Sequence, residues 1–139
     1  MTRVTLTLSR ACNNACVFCA QEGLAPLPPD DLAADLSRLR ATGATELTLL
    51  GGEPTLHPAL AEVIQQARAL GFERVGLQTN GRRLAEAPFT VSLAAAGLTD
   101  VHVTVLGGEP AVHDYHTGVE GSFRALVAGL GVARAQGLH

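Results

Sequence analysis

An α/β fold of about four parallel βα units is predicted for this chain by three features of its sequence. Short leucine-rich or β-branched runs alternate with longer stretches of helical periodicity, the pattern of repeated βα units. Glycines at 43, 71 and 97 stand where three of those helical stretches should stop. Polar or glycine-rich loops follow the runs, and ligands of parallel βα folds bind beyond the C-terminal strand ends.

The first strand is expected over Val4 to Leu8, followed by a cysteine-bearing loop, a stretch with Pro26, Pro28 and Pro29, and a helix from about Asp30 to Ala41. Asp30 and Asp31 suit that helix's N-terminal turn. The second strand is Glu46 to Leu50, and its helix runs from near Pro58 to about Leu70, with Leu60, Val63, Ile64 and Ala67 on one face. The third strand is Arg74 to Gln78, then the Thr79-Asn80-Gly81 turn and a helix over roughly Pro88 to Ala96. The fourth strand is Asp100 to Leu106, followed by a long polar loop and a helix from Ser122, a suitable N-cap, to about Gln136.

Composition narrows the function. The chain has 139 residues, 47% hydrophobic and 17% charged, as in an ordinary globular protein, and one domain over residues 1–139 is expected. No apolar run reads as a secretory signal or membrane span, so the expected location is the cytoplasm. A net charge of −3 with interspersed signs gives no footprint for nucleic acid or an anionic membrane, leaving a small molecule or peptide as partner. All ten basic residues are arginine, which excludes lysine Schiff-base chemistry and a lysine general base.

The three cysteines, Cys12, Cys16 and Cys19, lie within eight residues and have no further cysteine to pair with. In a reducing compartment they read as thiolate ligands for a soft metal or an iron–sulfur cluster. Zinc with His57, His113 or His116 as fourth ligand is one reading, although zinc sites usually use paired C-x2-C units. Three thiolates in one loop can instead hold three irons of a cubane and leave the fourth open.

The spacing Cys12-x3-Cys16-x2-Cys19, with Phe18 before the last cysteine, resembles the signature of the radical SAM superfamily. So do Gly51-Gly52-Glu53 after the second strand, Thr79-Asn80-Gly81 after the third, and the pattern of His113, Asp114, Gly118, Gly121, Ser122 and Phe123 after the fourth. The resemblance covers about Val4 to Gln136 and implies a partial (βα) barrel of radical SAM type. It further implies a [4Fe-4S] cluster on the three cysteines, with S-adenosylmethionine (SAM) chelated at the open iron. An electron donor such as flavodoxin or ferredoxin would reduce the cluster, cleaving SAM to methionine and a 5′-deoxyadenosyl radical that abstracts hydrogen from a peptide or small-molecule substrate. The metal ligands so implied are Cys12, Cys16 and Cys19, and the cofactor-binding residues are Phe18, Gly51, Gly52, Glu53, Thr79, Asn80 and Thr104. Glycines at 51 and 52 admit a ligand close to the backbone, and the Glu53 carboxylate can accept from an ammonium group. No catalytic residue is assigned.

Other features stay open at this level. Gly-Gly-Glu-Pro and Asn-Gly are also common turns. His113 and Asp114 read as substrate contacts, an acid–base pair or a locally bonded loop. The string Leu50-Gly-Gly-Glu-Pro-x-x-His57 recurs as Leu106-Gly-Gly-Glu-Pro-x-x-His113, as an internal duplication or by coincidence. Relatives commonly carry about six βα units, so the expected barrel is shortened, with a fifth strand due near Gly137-Leu138-His139 and an unpaired edge on the fourth. Completion by another chain, as a homodimer of half-barrels, is one expectation. A non-catalytic metal-binding module is the alternative function.

Overall fold

The computed structural model describes residues 2–19 and 31–139, so the Pro26-to-Pro29 stretch and Asp30 lie outside the described residues. Four strands, β1 (Arg3–Ser9), β2 (Glu46–Gly51), β3 (Arg74–Thr79) and β4 (Asp100–Val103), form one sheet in that order. Every neighbouring pair is parallel, Leu6 opposite Leu49, Leu49 opposite Leu77 and Leu77 opposite Val101. The α/β class and the four parallel strands agree with the sequence, because leucine- and valine-rich runs too short for helices are read unambiguously when glycines bound them.

Among the described residues five α-helices connect or follow the strands: α1 (Leu32–Ala41), α2 (Leu60–Ala69), α3 (Ala87–Ala96), α4 (Pro110–Thr117) and α5 (Ser122–Ala135). Asp31 caps α1, its carboxylate accepting from Ala34 N at 3.1 Å. The predicted apolar face of α2 is real, with Leu60, Val63, Ile64 and Ala67 all buried. These side chains pack on Leu47, Leu49, Val75 and Leu77 and on Leu36 and Leu93 of the flanking helices in a single core. Each such leucine contributes about 1.5–3 kcal/mol by leaving water.

Side chains alternate across a strand, so the opposite face carries Thr5, Thr7, Gln78 and His102, none of them buried. At the N-terminal rim Arg3 pairs with Glu46 at 2.9 Å and Arg74 with Asp100. Burial pushes the Asp100 pKa up, but hydrogen bonds from Arg74 and Thr99 outweigh it and hold the carboxyl below its ordinary value.

The structure differs from the sequence reading at the start of α5, whose N-cap is Gly121 at φ 83 with Ser122 as the first helical residue, and more widely in the region before it. β4 ends at Val103 instead of Leu106, and the stretch expected to be a polar loop contains α4. Thr104 to Leu106 have strand-like side chains, yet the Leu106 amide donates to His113 Nδ1 at 3.1 Å and so leaves the ladder. The helix signals were Pro110 at its first turn and Gly118 after its end, the latter at φ 68. Beyond α5, His139 brackets Asp100 in the manner of a parallel neighbour, its N–H donating to Thr99 O at 3.1 Å and its carbonyl accepting from Val101 N at 2.8 Å.

Candidate cofactor site

The cysteine loop leaves the C-terminal end of β1 and is held from three sides. On the first side lies the Gly51-Gly52-Glu53 loop, where Gly52 N donates to Ser9 O at 2.8 Å and Glu53 N to Ala11 O at 2.7 Å. The two backbones press together: a Cβ on Gly51 would lie 2.2 Å from Ser9 O, and one on Gly52 2.4 Å from Arg10 O. Glycine is therefore required here by the cysteine loop itself, whatever ligand also approaches.

The second side is the turn after β3. Asn80 Nδ2 donates to Asn13 Oδ1 at 2.6 Å, and the Arg82 guanidinium donates to the Asn13 carbonyl and, at 2.9 Å, to Asn14 Oδ1. The third is the C-terminal end of α4. Helix ends leave carbonyls without partners, and here His116 O accepts from Val17 N at 3.1 Å and Thr117 O from Ala15 N at 2.7 Å. Gly118 allows the approach, since a Cβ there would meet Ala15 O at 2.6 Å.

So supported, Cys12, Cys16 and Cys19 line one cavity of about 320 Å³. Gly51 and Gly52 form its floor on one side, with Thr79, Asn80 and Thr104 on another, and Phe18 also lines it. Asn14 N donates to Cys12 Sγ at 3.4 Å, and Cys19 N to Cys16 O at 3.3 Å. Burial, then the neighbouring Cys12 and Cys19, push the Cys16 thiol pKa up. Metal entering this site must displace that proton, so loading strengthens as pH rises. Three soft thiol donors lining one open space of this size fit a [4Fe-4S] cluster with room beside it. Among the described residues no three His, Cys, Asp or Glu side chains gather on one ion-sized point.

Of the residues expected at the cofactor, Phe18, Gly51, Gly52, Thr79, Asn80 and Thr104 line the cavity, and Glu53 does not. Glu53 is fully buried, and its carboxylate accepts from Thr55 N (3.2 Å), Thr55 Oγ1 (2.6 Å), Thr79 Oγ1 (2.5 Å) and Asn80 N (2.7 Å). With four donors already on it, this carboxylate joins the loop after β2 to the turn after β3. Phe18 is 60% exposed, its ring 5.5 Å from that of His116.

Of the histidines named for zinc, His57 Nδ1 accepts from Ala59 N and His113 Nδ1 from Leu106 N, whereas His116 Nδ1 is buried without a hydrogen-bond partner; none of the three lines the cavity. Asp114 is a cap for α5, accepting from Gly121 N at 2.8 Å, Ser122 Oγ at 2.9 Å and Phe123 N at 2.8 Å. Those backbone bonds, from Phe123 first and Gly121 second, hold its carboxyl below the ordinary range. Of the open readings for His113 and Asp114, the structure thus shows local hydrogen bonding. Sequence reasoning missed Asn14, Gln78, Leu106 and Thr117 among the lining residues. Gln78 was readable, since period two from Gly76 puts it on the open face of β3.

No helix among the described residues is long and apolar enough to cross a membrane. The chain is 41% identical over 106 residues to a probable GTP 3′,8-cyclase of Methanopyrus kandleri, a match that covers 73% of this chain and 33% of that protein. It is 31% identical over 132 residues to an AdoMet-dependent heme synthase of Methanosarcina barkeri, covering 91% and 37%. The chain thus spans well under half the length of these curated relatives. The crystal structure of methylornithine synthase shares the fold, with a TM-score of 0.79 at 15% identity over 98% of this chain and 42% of that one. Enzymes of the family to which these comparisons lead use a [4Fe-4S] cluster and SAM. The family model of the radical SAM superfamily matches residues 6–139, from the middle of β1 to the last residue, and by that match the chain belongs to the radical SAM superfamily.

Proposed function

We propose that Cys12, Cys16 and Cys19 hold three irons of a [4Fe-4S] cluster and that SAM occupies the adjoining cavity, for reductive cleavage and a radical reaction on a small molecule. The observation that carries this reading is the meeting of the three thiols with Gly51, Gly52, Thr79 and Asn80 on one cavity. When bound, the cluster and SAM supply the electron and the 5′-deoxyadenosyl radical that removes a hydrogen atom from substrate. The chain's part is to place and shield them. Backbone groups of the Gly51-Gly52 floor lie where SAM's amino group can be held, Thr104 offers a hydroxyl, and Phe18 offers a ring face beside Cys19. The described lining contains no cationic side chain, which suits a sulfonium ion drawn to thiolate sulfur.

The names of the relatives support a small-molecule substrate, a purine nucleotide first, over the peptide also expected from the sequence. A flavodoxin- or ferredoxin-like donor completes the reaction in the cytoplasm.

The test is anaerobic iron–sulfide reconstitution followed by electron paramagnetic resonance of the dithionite-reduced protein, with and without SAM. A reduced [4Fe-4S] signal that SAM perturbs, and that Cys16→Ala abolishes, is expected. Zinc in place of iron, or a signal indifferent to SAM, would sink the reading in favour of a non-catalytic metal module. Added GTP should raise 5′-deoxyadenosine formation; no change with GTP rejects the nucleotide while leaving the cluster intact.

A further inference from the structure

Adjacent arginines follow the turn after β3 and point to different tasks. Arg83 is half-buried and bonds elsewhere, donating to the Thr55 carbonyl, pairing with Glu86 at 3.3 Å and lying 4.1 Å over the Phe89 ring. Arg82 turns to the cysteine loop, where its Nη1 donates to both Asn13 O and Asn14 Oδ1. Among the described residues Arg82 has no carboxylate partner, so its charge is directed at the segment between Cys12 and Cys16. Its own backbone is anchored, with Arg82 N donating to Asn80 Oδ1 at 3.1 Å, while Asn80 Nδ2 reaches Asn13.

The platform beneath it is rigid as well. Gly81 sits at φ 81 against α5, where an added Cβ would lie 2.5 Å from Leu126 Cδ1, and a Cβ on Gly129 would lie 2.3 Å from Gly81 O. A turn wedged in this way cannot follow a moving loop, so the loop must conform to the turn. Metal sites depend on groups behind the ligands that fix ligand direction, and iron–sulfur potentials depend on nearby charge and hydrogen bonds.

We propose that Arg82 is the positioning residue of the cluster loop: the two bonds from its Nη1 set the Cys12–Cys16 spacing before iron arrives, and its charge raises the reduction potential of the bound cluster. The proposal rests on the reading of the three cysteines as cluster ligands. A lysine keeps the charge but is shorter and lacks the fixed, planar N–H directions of Nη1, which separates the two effects.

The experiment compares wild type, Arg82→Gln, Arg82→Lys and, as control, Arg38→Gln, an exposed arginine of α1 that pairs with Asp35. Cluster loss to a chelator, the midpoint potential of the reconstituted protein, and backbone hydrogen exchange of residues 11–17 in the iron-free protein are measured, with exchange of β2 and β3 reporting intact folding. Arg82→Gln should lose its cluster about tenfold faster than wild type, titrate at a more negative potential and exchange faster over residues 11–17. Arg82→Lys should lose its cluster as fast as the glutamine variant yet keep a potential near that of wild type, and Arg38→Gln should match wild type throughout. Wild-type retention and loop exchange in Arg82→Gln would overturn the positioning role; equal potentials in the lysine and glutamine variants, both displaced from wild type, would overturn the role of charge. If wild type itself takes up no cluster, the ligand reading fails. Loop exchange in the iron-free variants then still decides whether Arg82 holds the loop, with unchanged exchange overturning the clamp as well.

Discussion

The same string, Leu-Gly-Gly-Glu-Pro-x-x-His, folds in different ways at Leu50–His57 and Leu106–His113. In the first copy the glycines end β2 and carry the cysteine loop, the glutamate is sealed under four hydrogen-bond donors, and Pro54–Leu56 form a short 3-10 turn. In the second, Gly107 packs beneath Val112, Gly108 faces open space, Glu109 is exposed without a capping bond, and Pro110 opens α4. The histidines differ too: His57 bonds forward to Ala59 N, whereas His113 is buried and reaches back to Leu106 N. A short motif acquires its meaning from what the rest of the fold brings against it, here another loop in one case and bare solvent in the other.

Substitutions at matched positions should break this apparent equivalence. The largest difference is expected between Gly52→Ala and Gly108→Ala. The first forces a Cβ to 2.4 Å from Arg10 O and should abolish cluster retention and cost ~4 kcal/mol or more in thermal unfolding; the second has nothing within 4 Å and should stay within ~0.5 kcal/mol. Equal effects would mean that the cysteine loop does not press on Gly52. Next comes Glu53→Gln against Glu109→Gln. An amide nitrogen cannot accept from Thr79 Oγ1 or Asn80 N, so chemical denaturation should show a loss of about 1–3 kcal/mol for Glu53 and almost none for Glu109. A silent Glu53→Gln would remove the buried carboxylate from the account of the site.

The smallest effect is a pH dependence at Asp114, the residue that follows the second copy. The folded pKa of Asp114 lies below its unfolded value, so its contribution is present above the unfolded carboxylate pKa and is lost as pH falls through the folded one. Asp114→Asn should therefore lower the melting temperature at neutral pH and flatten its fall on acidification below the ordinary carboxylate range. Parallel melting curves for the two proteins across that range would show that the cap at α5 does not titrate.

Legibility in the sequence followed the range of the forces involved. The four strands, the faces of α2 and the cysteine loop were readable because each is specified by neighbouring residues. α4 was overlooked because seven of its eight residues run Ala-Val-His-Asp-Tyr-His-Thr, a mixed and largely polar stretch, while its proline start and glycine stop are local signals that could have identified it. The burial of Glu53 had no local signature, since two of its donors come from Thr79 and Asn80 in another βα unit. Asn13, Asn14 and Arg82 were invisible for the same reason. Their bonds run between segments that are distant in sequence, and nothing in either segment names the other.

The supports of the cysteine loop also set an order of events during synthesis. The thiols leave the ribosome before the carbonyls that fix Ala15 and Val17, which belong to Thr117 and His116, roughly a hundred residues later. Until α4 has emerged and docked, the nascent chain presents three free thiols on an unsecured loop, open to oxidation and to the wrong metal. If the cysteines hold a cluster as proposed, its insertion is expected to follow the docking of α4, a helix that itself contributes no ligand.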